Sequence, residues 1–151
     1  MPQPRALIAD IGGTNARFAL ADLETLDLSD IRHFRVADFP GLLEVTQAYL
    51  NGVDERPRMG SIAVAAPVVS DDISFTNSQW KFNRNELRQG LGLDRLLILN
   101  DFAALAQSLP YLRNEDLRQI GGTSPEPHAT KLVLGPGTGI GVAGLVWGGN
   151  Y

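Results

Sequence analysis

The stretch "IADIGGTNARFALAD", residues 8–22, decides how the chain is read. Apolar residues lead into Asp10, a small polar knot Gly12-Gly13-Thr14-Asn15 follows, and the chain then turns apolar again. Residues 6–11 form a short apolar run bounded by Pro4 and Gly12, the pattern of a buried strand. Residues 16–21 read as a second strand, so residues 12–15 become the turn of a β-hairpin. Such a turn can do more than reverse the chain. Glycine permits positive φ and lets a ligand approach the backbone closely, and successive N–H groups in a turn form a concavity suited to an anion.

The rest of the composition sets limits. With 151 residues, 44% hydrophobic and 20% charged, the chain can build an ordinary globular core. The net charge is -4 and no basic run occurs, so nucleic acid is not an expected partner. Apolar runs fall far short of a membrane span, and no apolar leader precedes the first strand. Cysteine is absent and the two histidines, His33 and His128, lie far apart, which argues against disulfides and a zinc site. Cytoplasm is the expected compartment.

Strands and helices alternate further along. Residues 31–36 read as a third strand, and residues 40–50 as a helix with Leu42, Leu43, Thr46, Tyr49 and Leu50 on one face, ending at Asn51-Gly52. Residues 61–65 and 73–76 are further strands. Asn83 followed by Glu86 marks a helix start, with Gly90 or Gly92 as its end. Residues 95–99 read as a buried strand, 102–109 as a helix stopped before Pro110, and 114–120 as one or two further helical turns. Residues 121–130, rich in Gly, Pro and Ser, are the obvious linker. Strands at 131–134 and 142–147 then flank a glycine loop over 135–141. Three successive strands followed by alternation predict an α/β fold with a mixed sheet and flanking helices.

That second loop echoes the first. "LVLGPGTGIGVAGLV" is again strand, glycine turn with Gly-Thr, strand, so that Thr14 recurs as Thr138. Two such turns facing each other would grip a polyphosphate from both sides. Most glycine-rich hairpins are only turns, and that reading stands beside the functional one. Residues 139–144 also fit G-x-G-x-x-G, but a dinucleotide site needs a helix after the glycines and this segment is β-rich. No G-x-x-x-x-G-K-[ST] sequence occurs. A third feature is "LLILNDFAALAQ", a strand running into Asn100-Asp101 and then a helix. Asp101 there is either an N-cap or a ligand group at the carboxyl end of a strand, where α/β proteins place their sites. Asp10 ends its own strand in the same manner.

Asp10-Ile11-Gly12-Gly13-Thr14-Asn15-Ala16-Arg17, Leu99-Asn100-Asp101-Phe102 and Gly135-Pro136-Gly137-Thr138-Gly139-Ile140-Gly141 resemble the bacterial glucokinase family, part of the actin-like sugar-kinase superfamily. Thr76-Asn77-Ser78-Gln79-Trp80 resembles the family's pattern too, and the likeness runs from residue 6 to about residue 147. The resemblance implies an actin-like ATPase (RNase H-like) lobe over residues 1–110 and the first hairpin of a second, larger lobe over residues 111–151. It implies ATP-dependent phosphorylation of D-glucose to glucose 6-phosphate in glycolysis, with ATP and Mg²⁺ as cofactors and a homodimer in the full-length protein. By the same resemblance, Ala9, Asp10, Ile11, Gly12, Gly13 and Thr14 form the first ATP segment and Gly137, Thr138 and Gly139 the second. Asp10 lies near Mg²⁺ through water, Asn100 binds sugar hydroxyls, and Asp101 binds the sugar and accepts the proton of its 6-hydroxyl.

Family members are considerably longer, and a Glu-Gly-Gly-His segment with further sugar contacts is expected beyond Tyr151. The chain therefore reads as an N-terminal lobe plus an opening hairpin, inactive in isolation. Two alternatives stay open: an actin-like kinase for another hexose or an acylated aminosugar, and a non-catalytic sugar-sensing ATP-binding module. Repressors of related fold carry a DNA-binding segment before the first strand, which here begins by Ala6, and the zinc-containing sugar kinases use cysteines, which this chain lacks.

Overall fold

A computed structural model describes residues 4–76, 78–124, 126–136 and 140–149. The chain forms two compact units, Met1–Asp101 and Phe102–Tyr151.

The first unit is built on a five-stranded sheet of order β3-β2-β1-β4-β7. Strand β1 (Arg5–Ile11) and β2 (Asn15–Asp22) form the expected hairpin, in register from Arg5↔Asp22 to Ile11↔Ala16. β3 (Leu28–Arg35) begins earlier than the reading from residue 31, and Val36 leaves it for a short 3₁₀ turn. The cause is the tight turn before it. The Asp22 carboxylate accepts from the Glu24 and Thr25 N–H groups at 2.8 and 2.9 Å, and the Asp22 N–H donates to the Asp27 carbonyl. β4 (Met59–Val64) and β7 (Arg95–Asn100) then add in parallel to β1, completing the mixed sheet. Between them, β5 (Asp72–Ser74), expected over residues 73–76, pairs antiparallel with β6 (Lys81–Asn83), a strand the sequence reading did not mark.

One face of the large sheet carries the core. Leu7 and Ile11 of β1, Phe18 and Leu20 of β2, Ile62 and Val64 of β4, and Ile98 of β7 are buried there. Helix α1 (Leu42–Leu50) covers them with Leu42, Val45, Thr46, Tyr49 and Leu50. That stripe follows i, i+3, i+4, i+7, i+8 from the first helical residue, so Val45 takes the place the sequence reading gave to Leu43. Leu43 packs instead beside Gly90, where an added Cβ would come within 3.0 Å of it. Tyr49 stacks on Phe18 with ring centroids 5.1 Å apart, and burial pushes its hydroxyl up to about 12. Helix α2 (Arg84–Gly90) starts as expected, because the Asn83 side chain accepts from the Asn85 and Glu86 N–H groups at 2.9 and 3.3 Å.

The second unit contains most of helix α3 (Asp101–Ser108) and a hairpin of β8 (Lys131–Pro136) and β9 (Ile140–Leu145). Pro110 does not simply end the helix; it sits inside a 3₁₀ turn, Leu109–Tyr111. Only Asn114–Asp116 is helical in the 114–120 segment, as a 3₁₀ turn. The hairpin strands run from Lys131↔Leu145 to Pro136↔Ile140, so the ladder reaches further into the glycine segment than expected. No helix among the described residues is long and apolar enough to cross a membrane.

Two outcomes test this account. Ile62 is fully buried between β1 and β7. Ile62→Ala is expected to lower unfolding free energy by about 2–5 kcal/mol in a urea titration. Backbone hydrogen bonds from Thr25 and Glu24 hold the Asp22 carboxyl below its usual range. Its ionised form therefore stabilises the fold above the unfolded pKa, and that contribution is lost as pH falls through the folded value. The stability gap between wild type and Asp22→Ala should hold at neutral pH and shrink below about pH 4. Urea unfolding across a pH series measures it.

Candidate functional site

The parallel arrangement of β1, β4 and β7 sends their carboxyl ends to one edge of the sheet. Register aligns Ile11 with Val64 and Val64 with Asn100. Two strand spacings separate the first of these from the last, roughly 10 Å across the sheet. The Gly12–Asn15 turn and the Asn100-Asp101 junction therefore lie on the same edge of the first unit.

The turn is closed by one hydrogen bond, from the Gly12 N–H to the Asn15 carbonyl at 2.9 Å. It is braced from outside by Val36, whose N–H donates to the Thr14 carbonyl at 2.9 Å, and by Ala65, whose N–H donates to the Ile11 carbonyl at 2.9 Å. The N–H groups of Gly13 and Thr14 and the Thr14 hydroxyl have no acceptor among the described residues. A braced turn with unspent donors can hold an anion without rearranging. A cavity of about 250 Å³ lies over it, lined by Asp10, Gly12, Gly13, Thr14, Asn15 and Arg17.

Two details differ from the sequence reading. The positive-φ glycines among the described residues are Gly92, Gly121, Gly122 and Gly149, so Gly12 and Gly13 are not needed for left-handed backbone. A Cβ on Gly12 would meet only the Asn15 carbonyl, at 3.5 Å, so the fold itself leaves room there. The glycines leave the turn bare. Second, the Gly12 N–H is spent within the hairpin and is not a donor for a ligand.

Asp10 stands directly across the hairpin from Arg17, and the two form a half-exposed ion pair at 3.3 Å. Among the described residues no three His, Cys, Asp or Glu side chains gather as a metal cage. On the other side, Asn100 ends β7 and Asp101 opens α3. The Asn100 amide donates to the Ala66 carbonyl at 3.2 Å, so the loop after β4 orients it. Sequence reasoning missed this loop, and the signal was Ala65-Ala66-Pro67 following a strand. Trp80, from the Thr76–Trp80 motif, is a core residue whose indole N–H donates to the Phe39 carbonyl at 3.2 Å. Asn77 lies outside the described residues.

Gly137, Thr138 and Gly139 also lie outside the described residues. Their neighbours have a packing role. A Cβ at Gly135 would come within 2.8 Å of the Phe102 ring, and one at Gly141 would overlap it. The hairpin thus seats the aromatic ring next to Asp101 in sequence.

The family model for glucokinase matches residues 7–151. The chain belongs to the glucokinase family. It is 40% identical over 146 residues to the glucokinase of Tolumonas auensis, covering 97% of this chain and 46% of that protein. To the glucokinase of Helicobacter acinonychis it is 44% identical, covering 93% of this chain and 43% of that one. The chain thus spans less than half the length of these curated relatives. Among solved structures, the glucokinase of an Antarctic psychrotroph superposes with a TM-score of 0.82 at 37% identity, over 94% of this chain and 46% of that one. The ROK-family glucokinase of Streptomyces griseus, solved with glucose and AMPPNP, superposes with a TM-score of 0.65 at 18% identity, over 95% of this chain and 45% of that one, a likeness of fold. The fold is that of the actin-like sugar kinases, as expected.

The Phe102 seat makes one prediction. Gly141→Ala should cost about 1–3 kcal/mol through overpacking and lower hydrogen-exchange protection at Val133 and Ala143. The loss should largely vanish in a Phe102→Ala background, where the two changes couple.

Proposed function

We propose that this chain supplies the first phosphate turn and the general base of an ATP-dependent glucose kinase. The reaction transfers the terminal phosphoryl group of ATP to the 6-hydroxyl of D-glucose, giving glucose 6-phosphate and ADP. The observation that carries the reading is the shared sheet edge: N–H groups of Gly13 and Thr14 without an acceptor among the described residues on one side, Asn100-Asp101 about 10 Å away on the other. Family membership and the glucose and AMPPNP bound by the Streptomyces griseus fold relative support the choice of ligands.

In this reading Gly13 and Thr14 donate to phosphate oxygens, and the backbone from Ala9 to Gly12 carries the turn. Asn100, oriented by its bond to the Ala66 carbonyl, hydrogen-bonds sugar hydroxyls. The Asp101 carboxylate accepts the proton of the 6-hydroxyl as that oxygen attacks. Gly137, Thr138 and Gly139 form a second phosphate turn, and residues 1–110 and 111–151 belong to two lobes. Bound ATP supplies the phosphoryl group, and phosphoryl transfer asks the protein mainly for positioning and charge neutralisation. Mg²⁺ suits a site with one carboxylate, since it keeps most of its waters and leans on substrate phosphates. Asp10 is that carboxylate, and it would divide its oxygens between Arg17 and a metal-bound water. A cytoplasmic, homodimeric full-length enzyme is part of the same reading.

A chimera tests it: this chain replaces the matching segment of the Tolumonas auensis glucokinase. Glucose-dependent ADP release should appear, and Asp101→Asn should lower kcat by about 10²–10⁴-fold with glucose binding kept. Gly12→Val should raise the KM for ATP with little change in that for glucose, because the fold has room for the side chain but the ligand does not. An Asp101→Asn chimera keeping more than about half its kcat removes the base assignment. An unchanged KM for ATP removes the phosphate turn.

A further inference from the structure

Helix α3 opens on Asp101 and Phe102, and the hairpin of β8 and β9 holds a place for the second of them. Gly135 and Gly141 pair on one rung of the ladder, next to the terminal rung Pro136↔Ile140. A Cβ at Gly135 would lie 2.8 Å from both Cε1 and Cζ of the Phe102 ring, and one at Gly141 would overlap Cε2, Cζ and Cδ2. The far edge of the ring therefore stands against both glycines. Backbone conformation does not ask for glycine at either position. Neither has a positive φ, and the pairing runs from Lys131↔Leu145 to Pro136↔Ile140 with no slip in register, so the pair marks no bulge. Gly144, on the same strand as Gly141, has ordinary room for a Cβ, 3.4 Å from Leu132 Cδ2.

Glycine inside a strand weakens it, so two on one rung leave the hairpin poorly packed without the ring. The rung takes its packing from the ring, and the ring takes its position from the rung. This rung also borders the glycine turn. Gly137 and Gly139 each lie two residues along the chain from it, and two residues reach at most about 7 Å. On the helix side, Phe102 follows Asp101 directly in the first turn of α3. Ala106, the buried residue of α3, comes four residues later and shares the helix face of Phe102. The ring thus belongs to the packed side of the helix that carries Asp101.

We propose that Phe102 is a positioning residue of the phosphoryl transfer: seated on the Gly135–Gly141 rung, it ties Asp101 to the turn over residues 137–139. This role rests on the function proposed above, in which Asp101 is the base and Gly137, Thr138 and Gly139 hold phosphate. Phe102 acts through Asp101 and not on a substrate. What it sets is the place of the carboxylate against the phosphate turn. Phosphoryl transfer depends mainly on such positioning, and a misplacement of about 1 Å can lower a rate about 10²-fold. Leucine cannot replace the ring in this role. It would fill the helix side of the seat, but it has no counterpart of Cε1, Cε2 and Cζ, the atoms that meet the rung.

The test uses the Tolumonas auensis chimera described above and compares Phe102→Leu, Gly141→Ala and the two together. Glucose binding measured by calorimetry counts the folded sites, and kcat is taken per bound site, so a loss of folded protein does not enter it. Each single change should lower kcat about tenfold or more, with the KM for glucose within about twofold of the parent. The double variant should be no slower than the slower single one, because both changes break the same contact. A kcat kept in Phe102→Leu, or two losses that multiply, overturns the proposal. If Gly141→Ala does not fold, Gly135→Ala takes its place, since its Cβ meets only the ring edge. The same lack of additivity with Phe102→Leu is then expected, and multiplying losses again overturn the role. An active Asp101→Asn chimera removes the base assignment and the positioning role with it. A chimera that Asp101→Asn silences and Phe102→Leu leaves at full rate removes the positioning role alone.

Discussion

Strand β1 is bonded on both edges, antiparallel to β2 and parallel to β4, and its core-facing Leu7 and Ile11 are fully buried. A shift of one residue in either ladder would turn those side chains to the opposite face. The pairing is therefore tightly held, and it fixes where the chain emerges at each end. At the carboxyl end it delivers Asp10 and the Gly12–Asn15 turn beside Val64 and, one strand further, Asn100. At the amino end it delivers Ala6 beside Met59 and, one strand further, Arg95. The candidate site depends on this register more than on any loop.

Much of this was legible beforehand because it is local. Alternation and turn chemistry marked β1, the turn, β2, β4 and β7, and Asn83 marked the start of α2 through a cap that closes within three residues. What was misread depended on bonds and packing that residue type alone does not show. β6 is three residues long and exists because Asp72–Ser74 lies alongside it. β3 starts early because the Asp22 carboxylate ties up Glu24 and Thr25. Leu43 and Val45 are both apolar, and packing separates them: Val45 is buried with the stripe, whereas Leu43 packs beside Gly90.

At the site, residue types were easier to read than their hydrogen bonds. Asp10, the glycine turn and Asn100-Asp101 stood out by composition and position. Their bonding did not: the Gly12 N–H is consumed by Asn15, Asp10 is shared with Arg17, and Asn100 is steered by Ala66. Glycine patterns are ambiguous in the same way. Gly12 is bare with space around it, whereas Gly135 and Gly141 are bare because Phe102 fills the space. A sequence shows the missing side chain and not what occupies its place.

The two ends of the sheet carry opposite chemistry for a reason rooted in parallel strands. At the carboxyl end the Gly12 and Ala65 N–H groups are spent on the Asn15 and Ile11 carbonyls, whereas those of Gly13 and Thr14 have no acceptor among the described residues, so backbone dipoles there can meet a ligand's charge. At the amino end the Asp94 and Arg95 N–H groups both donate to the Arg58 carbonyl, at 2.8 and 3.4 Å. The unspent N–H groups of the turn and the spent ones of the Arg58–Asp94 corner set the two ends of the sheet apart.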